Sequence, residues 1–123
     1  MYNHMVVQSK VEDPSDLVFH ALSDATRRDI ALRSMQGEHS VSALATSYPM
    51  SFAAVQKHVA VLERAGLVTK RRHGREQLVS GRIQAVRAAY GLLDQLEALW
   101  RARIDRFGEV LADEEREAER GVI

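Results

Sequence analysis

The side chains that could carry out catalysis or bind a metal are few and scattered along these 123 residues. The chain has five histidines and no cysteine, so thiolate ligands, disulfides and a thiol nucleophile are excluded. His4, His20 and His39 lack the spacing of a zinc-binding helix, and His20, beside Phe19, is better explained as a packed or interface residue. No Gly-x-Ser-x-Gly elbow and no glycine-rich phosphate loop is present. The sequence therefore predicts no enzyme, no metal site and no cofactor.

Charge is unevenly distributed along the chain, although basic and acidic residues each number 17. Residues 51–82 hold seven basic and two acidic side chains, a net charge of +5. Residues 1–50 carry four basic and six acidic side chains, and residues 83–123 carry six and nine, so both flanks are acidic. A basic block between acidic ones can face a polyanion, but it is equally consistent with a solvated surface.

Short polar residues mark where helices should begin. Each of four such sites precedes a segment with apolar residues at helical spacing: Asp13, Ser23-Asp24, Ser40 and Ser51. Gly37, Tyr48-Pro49 and Gly66 should end the second, third and fourth helices. In the fourth helix, Val55, Val59 and Leu62 form one apolar stripe.

Two short β-prone segments follow the fourth helix, at residues 67–69 and 77–79. The intervening residues are mostly basic, and Gly74 can take the positive φ that a tight turn needs. The pattern predicts a β-hairpin with a basic tip. The fold class is therefore mainly α with a small β-hairpin.

The third and fourth helices, joined by the short turn at residues 47–50, form a helix-turn-helix candidate. Small residues open the fourth helix and can approach base edges, while Gln56 and Lys57 can hydrogen-bond bases or phosphates. With the hairpin placed as a wing, the pattern predicts a winged helix-turn-helix. The predicted DNA-binding residues are Ser51, Phe52, Ala53, Gln56, Lys57, His58, Arg71, Arg72, His73 and Arg75.

Three of these residues have a second interpretation. Ser51 is better explained as a helix cap than as a base reader, although its hydroxyl can also bond a phosphate. Phe52 can contact a thymine methyl group or pack against the preceding turn. His58 can bind DNA or pack beneath the helix. The alternative for the basic hairpin is that its charged side chains only face solvent and bind no DNA.

The last helix carries the most regular apolar pattern of the chain. Its stripe extends from Val86 to Leu111, 26 residues or ~39 Å, which exceeds the ~30 Å width of a small domain. A second copy of the helix would cover the part of the stripe that extends beyond the domain. The alternative is a helix packed wholly within its own domain. Gly91 and Gly108 predict bends or an early end, and residues 114–120 are expected to fray.

Four stretches of the sequence, at residues 21–30, 50–68, 74–75 and 100–107, resemble the ArsR/SmtB family of dimeric bacterial repressors, and the resemblance extends over residues 16–112. Residues 21–30 read ALSDATRRDI, close to the family's ALADPTRRxIL, with Ala25 replacing the usual proline. Residues 50–68 are similar to the family's recognition helix and its exit, and Gly74-Arg75 matches the tip of its wing. Residues 100–107 resemble the last helix of a branch without obvious metal ligands.

The resemblance implies a homodimer that binds an inverted-repeat operator and represses transcription. Dimerisation is expected through the N- and C-terminal helices, with these interface residues: Leu17, Phe19, His20, Leu93, Leu96, Trp100, Ile104 and Phe107. Residues 1–12 are predicted to form a flexible arm, residues 13–112 the DNA-binding and dimerisation domain, and residues 113–123 a charged tail. No membrane segment or signal peptide is recognised, and a cytoplasmic location is expected.

The sequence departs from the family pattern at its known metal sites. Ser40 and Ser42 occupy the positions of the Cys-x-Cys of metal-sensing members, and a hydroxyl is a poor ligand for soft metals. The carboxylates of the last helix are accompanied by no histidine, since none follows His73. The start of the recognition helix also differs, so no operator sequence follows from the resemblance.

Two alternatives to the repressor interpretation remain. One is a winged-helix module that binds proteins through its last helix and does not bind DNA. The other is a DNA-binding sensor whose ligand lies at the dimer interface. The sequence identifies no effector.

Overall fold

The computed structural model describes residues 13–121, and the predicted arm at residues 1–12 lies outside that range. Its elements are, in chain order, α1 Pro14–Ala21, α2 Ala25–Gln36, β1 His39–Ser40, α3 Val41–Ala45, α4 Phe52–Arg64, β2 Val68–His73, β3 Glu76–Gly81 and α5 Gln84–Arg120. The predicted class, mainly α with a small β-hairpin, is confirmed.

The predicted caps begin the first four helices. In each case a side-chain oxygen accepts a hydrogen bond from a backbone N–H two or three residues further on, which satisfies a donor that the first turn leaves free. The donor–acceptor distances lie between 2.7 and 3.1 Å, and the capping residues are Asp13, Asp24, Ser40 and Ser51.

The sheet has one strand more than the predicted hairpin. Strand β1 pairs antiparallel with β3, His39 opposite Val79 and Ser40 opposite Leu78, which gives the order β1-β3-β2. A two-residue strand is too short to show a periodicity of its own, so its pairing depends on the exposed edge of β3 rather than on local sequence. The prediction of a two-stranded hairpin is corrected to a three-stranded sheet.

The chain forms two compact units that divide between Ala89 and Tyr90. The described part of the first unit, residues 13–89, contains a single core cluster, to which every helix of that unit and the sheet contribute. Its largest fully buried side chains are Ile30, Leu44, Leu62, Leu67, Val18, Val55, Val59 and Val79. In the second unit, residues 90–120 form the rest of α5.

Helix α5 is longer than predicted. It continues through Gly91 and Gly108 and ends at Arg120, so the expected early end at a glycine is wrong, whereas the alternative of bends there and the fraying of residues 114–120 stay predictions. Ion pairs one turn apart, Arg101 with Glu97 and Arg116 with Asp113, support the charged part of the helix. The division into domains at residue 112 stays a prediction. Among the helices of residues 13–121, none combines the length and the hydrophobicity that a transmembrane segment needs.

Candidate nucleic-acid interface

Helix α4 has a buried side and an exposed side. Val55, Val59 and Leu62 are fully buried, as predicted from their spacing. Because these three positions hold the helix on the core, its opposite side is presented to solvent. Four of the predicted contact residues of this helix are exposed: Phe52, Ala53, Gln56 and Lys57.

The first turn of α4 combines an exposed cap with small side chains. Ser51 Oγ accepts a hydrogen bond from the backbone N–H of Ala54 at 3.1 Å, so its capping role is present in the structure. Phe52 is 47% exposed, which leaves much of its ring available to a ligand. Methyl side chains at Ala53 and Ala54 let another molecule approach the helix N-terminus closely.

His58 is turned towards α2 rather than away from the core. Its Nδ1 lies 3.3 Å from Nη1 of Arg27 and 4.0 Å from Oδ2 of Asp24, the cap of α2. The side chain is half-buried. Of the two interpretations that the sequence allowed, this position corresponds to packing beneath the recognition helix, and a contact of His58 with DNA stays a prediction.

The short turn before α4 is fixed by side chains that sequence reasoning did not identify. Tyr48 Oη donates to Oδ2 of Asp29 at 2.6 Å, and Nε of Arg33 donates to the same carboxylate oxygen at 2.8 Å. Arg33 also donates to Ser47 Oγ at 2.9 Å and lies over the Tyr48 ring. Asp29 and Arg33 are one helical turn apart, but the contacts that join them to the turn span 14 to 19 residues, which no local pattern marks.

This cluster changes the acidity of its members. Burial and the hydrogen bond to Asp29 raise the pKa of Tyr48 from 10.0 to about 12. The hydrogen bonds from Tyr48 and Arg33 lower the pKa of Asp29 below its ordinary value. At neutral pH the phenol is therefore protonated and the carboxylate ionised, which is the combination the hydrogen bond needs.

The wing is formed by β2, the turn at Gly74 and β3. Gly74 has a φ of 62°, the left-handed value predicted for it, and nothing fills the space beside it. Arg72, His73 and Arg75 are exposed around this turn. Within residues 13–121, the side chain of neither Arg72 nor Arg75 makes a hydrogen bond or ion pair.

Two other cations of β2 are paired with carboxylates. Lys70 Nζ lies 3.4 Å from Oε1 of Glu63 on α4. Arg71 binds Glu38, in the segment between α2 and β1, through two hydrogen bonds. Glu38 was not identified from the sequence, because it lies 33 residues from Arg71 and outside every predicted element.

The predicted dimer-interface residues lie in two places. On α5 the five from Leu93 to Phe107 are exposed, with Trp100 at 57% and Phe107 at 65%. On α1, Leu17 is half-buried, whereas Phe19 and His20 are exposed. Large apolar side chains exposed at helical spacing are typical of a surface that another protein covers.

The described residues bring together no obvious metal or catalytic centre. Within positions 13–121 there is no group of three or more His, Asp or Glu side chains that could hold a metal ion. Ser40, at one position of the family's Cys-x-Cys, caps α3 instead. The lack of a metal site stays a prediction.

Comparison with solved structures decides the family. An ArsR-like transcriptional regulator from Rhodococcus sp. RHA1 is 30% identical to this chain, with a TM-score of 0.72 over 81% of this chain and 92% of its own. This chain belongs to the ArsR family. A possible transcriptional regulator for arsenical resistance is 31% identical, with a TM-score of 0.61 over 77% of this chain and 97% of its own.

A third solved relative of this ArsR-family protein is a homodimeric winged helix-turn-helix DNA-binding domain from Mycobacterium bovis. It is 26% identical, with a TM-score of 0.54 over 76% of this chain and 84% of its own. No protein-family model matches the chain, and no curated protein matches it significantly. The solved relatives confirm the winged helix-turn-helix and the class of transcriptional regulator, which points away from an enzyme.

Proposed function

We propose that this ArsR-family protein binds an inverted-repeat operator as a homodimer and represses transcription from it. The observation that carries the proposal is the exposed side of α4, where residues suited to base contact lie on a helix that the core holds rigidly. A helix with one buried and one exposed side fits the major groove of B-DNA, which admits an α-helix.

Different residues of α4 serve different kinds of contact. The amide of Gln56 can bond adenine bidentately, and the ring of Phe52 can contact a thymine methyl group. Lys57 supplies a charge for a phosphate or a guanine. Ser51 and Ala53 allow the N-terminal turn to approach the DNA closely, where backbone N–H groups favour a phosphate.

The wing supplies phosphate contacts that do not depend on base sequence. Arg72, His73 and Arg75 surround a tight turn that is narrow enough to enter the minor groove or follow the backbone. Such contacts position a protein on the duplex and make its affinity fall with salt.

A second copy of the chain covers the apolar stripe of α5 in this proposal. The stripe presents aromatic and branched side chains that a partner helix can bury, and α1 contributes Leu17, Phe19 and His20. The homodimeric state of the M. bovis relative supports the proposal. Twofold symmetry then places the two α4 helices in major grooves about one helical turn, ~10 bp, or a multiple apart.

Repression follows from where such a dimer binds. A dimer that occupies successive major grooves within a promoter excludes the polymerase from the same DNA. In a reconstituted transcription assay, adding the protein should reduce transcript from its target promoter, and an increase would show activation instead.

Footprinting on the DNA upstream of its own gene tests the symmetry of binding. The proposal predicts two protected half-sites related by a twofold axis. Inserting ~5 bp between them turns one half-site by about half a helical turn and should weaken binding at least tenfold. A single asymmetric footprint, with affinity unaffected by the insertion, would contradict the proposal. Absence of any footprint would favour the protein-binding module.

A further inference from the structure

Glu38 holds one of the wing arginines, Arg71, through two hydrogen bonds. Nε of Arg71 donates to its Oε2 at 3.0 Å, and Nη2 donates to its Oε1 at 2.9 Å. Ser80 Oγ, on the neighbouring strand, donates to Oε2 at 2.9 Å. Bidentate pairing of this kind fixes a guanidinium in direction as well as in position.

The strand register places Arg71 on the side of the wing that faces away from α4. Successive side chains of a strand alternate between its two faces. Lys70 lies opposite Val79, which is fully buried, and it pairs with Glu63 on α4. The side chains of Lys70 and Arg72 therefore lie on the face of β2 towards α4. The side chain of Arg71 lies on the opposite face, where it binds Glu38.

We propose that Glu38 is a positioning residue for the wing, which keeps Arg71 away from the DNA and leaves the phosphate contacts of the wing to Arg72, His73 and Arg75. This inference rests on the proposed DNA binding. It reassigns Arg71, a residue that the sequence analysis placed among the DNA contacts. Glu38 thereby limits how many cations the wing can offer to any duplex, whatever its sequence.

The physical basis is competition between two anions for one guanidinium. A phosphate must displace a carboxylate that already accepts two hydrogen bonds from Arg71 and one from Ser80. The same hydrogen bonds lower the pKa of Glu38, so the carboxylate is ionised at neutral pH. Each phosphate that a protein neutralises contributes about 0.9 to the slope of log affinity against log salt, so the contribution of one arginine is measurable.

The test compares four variants with the wild-type protein by fluorescence anisotropy, on upstream and scrambled duplexes over a series of salt concentrations. Glu38→Gln removes the competing charge from both wings of the dimer and should tighten binding to both duplexes roughly thirtyfold at ~0.15 M salt, with a slope steeper by about 1.8, or about 0.9 for each wing. The double variant E38Q/R71Q deletes the pair without changing net charge and should bind like the wild type. Arg75→Gln should make the slope shallower by about 1.8, or about 0.9 for each wing.

Glu97→Gln is the matched control, because it frees Arg101 from a similar ion pair on α5. It should leave the slope unchanged. Thermal unfolding of each variant checks that the fold is retained.

Three results would overturn the inference. The first is a double variant whose slope becomes as shallow as that of Arg75→Gln, because Arg71 would then contact phosphate in the wild type. The second is Glu38→Gln binding like the wild type, and the third is Glu97→Gln tightening binding equally. A wild-type protein that binds neither duplex would instead contradict the proposed function, and this inference with it.

Discussion

Tyr48 and Asp29 are joined by a 2.6 Å hydrogen bond that ties the turn of the helix-turn-helix to the middle of α2. Arg33 reinforces it from α2 by bonding the same carboxylate and the hydroxyl of Ser47. Because the turn leads directly into α4, the direction of the recognition helix is set by contacts on its N-terminal side as well as by its own buried stripe.

Replacing Tyr48 with phenylalanine removes this hydrogen bond and retains the ring. We expect the free energy of unfolding to fall by about 1 kcal/mol, the ordinary contribution of one such bond. Urea unfolding measures it. Tyr90→Phe, at a tyrosine that is 65% exposed, is the control and should change little. Equal effects of the two substitutions would show that the hydroxyl of Tyr48 has no special role.

The same bond predicts a response to alkaline pH. Since the pKa of Tyr48 is raised to about 12 in the fold from 10.0, its contribution to stability is complete below pH 10 and is lost as the pH rises towards 12. The stability difference between the wild type and Tyr48→Phe should therefore be constant from pH 7 to 9 and shrink above pH 10. A difference that stays constant to pH 12 would contradict the assignment.

Ser51 combines a structural role with a place at the proposed interface, and two substitutions separate them. Ser51→Ala removes the cap and should cost about 1 kcal/mol in urea unfolding. Ser51→Asp retains a good cap, so it should preserve stability, but its carboxylate should repel phosphates and weaken DNA binding. If Ser51→Asp bound DNA normally, the N-terminus of α4 would not lie against the duplex.

Gln56 is the residue of α4 best suited to read a base. Replacing it with alanine should reduce discrimination at one operator position in each half-site by about 1–3 kcal/mol, without altering affinity for scrambled DNA. Binding measured on a set of operators with single base changes tests this. A uniform loss across all of them would assign Gln56 to the backbone instead of the bases.

Trp100 lies midway along the exposed stripe of α5. Placing a charge there with Trp100→Glu should weaken self-association by at least about 2 kcal/mol, or roughly thirtyfold, since buried aromatic residues dominate interfaces. Sedimentation velocity should then show monomers, and operator binding should weaken. Gln95→Glu, on the same helix but outside the stripe, is the control. A dimer that survives Trp100→Glu unchanged would place the interface elsewhere.

The parts of the fold that depend on neighbouring residues were predictable from the sequence. Capping by Asp24 and Ser51 and the buried stripe of α4 follow from side chains one or two turns apart. The turn at Gly74 follows from one residue type. These signals predict the order of the helices and of the wing along the chain. They therefore also predict which residues can reach DNA.

The parts that depend on distant contacts were not predictable. Strand β1 exists because β3 offers it an edge, and Glu38 meets Arg71 because that strand brings their segments together. Whether the side chain of His58 faces DNA or packs beneath α4 depends on how α2 lies beside α4, which the local sequence does not show. Helix α5 continues through Gly108 because one glycine destabilises a helix by only about 1 kcal/mol. That is small beside the stabilisation from the other residues of a 37-residue helix.

Fluorescence anisotropy of the purified protein tests the central claim most directly, on its own upstream DNA and on a scrambled duplex at ~0.15 M salt. Non-specific binding under these conditions is typically about 10⁻⁴–10⁻⁶ M. We predict a nanomolar dissociation constant for one site in the upstream DNA and only this weak binding to the scrambled duplex. Equal, weak binding to both would contradict an operator in that DNA, and would direct attention to a protein partner of α5.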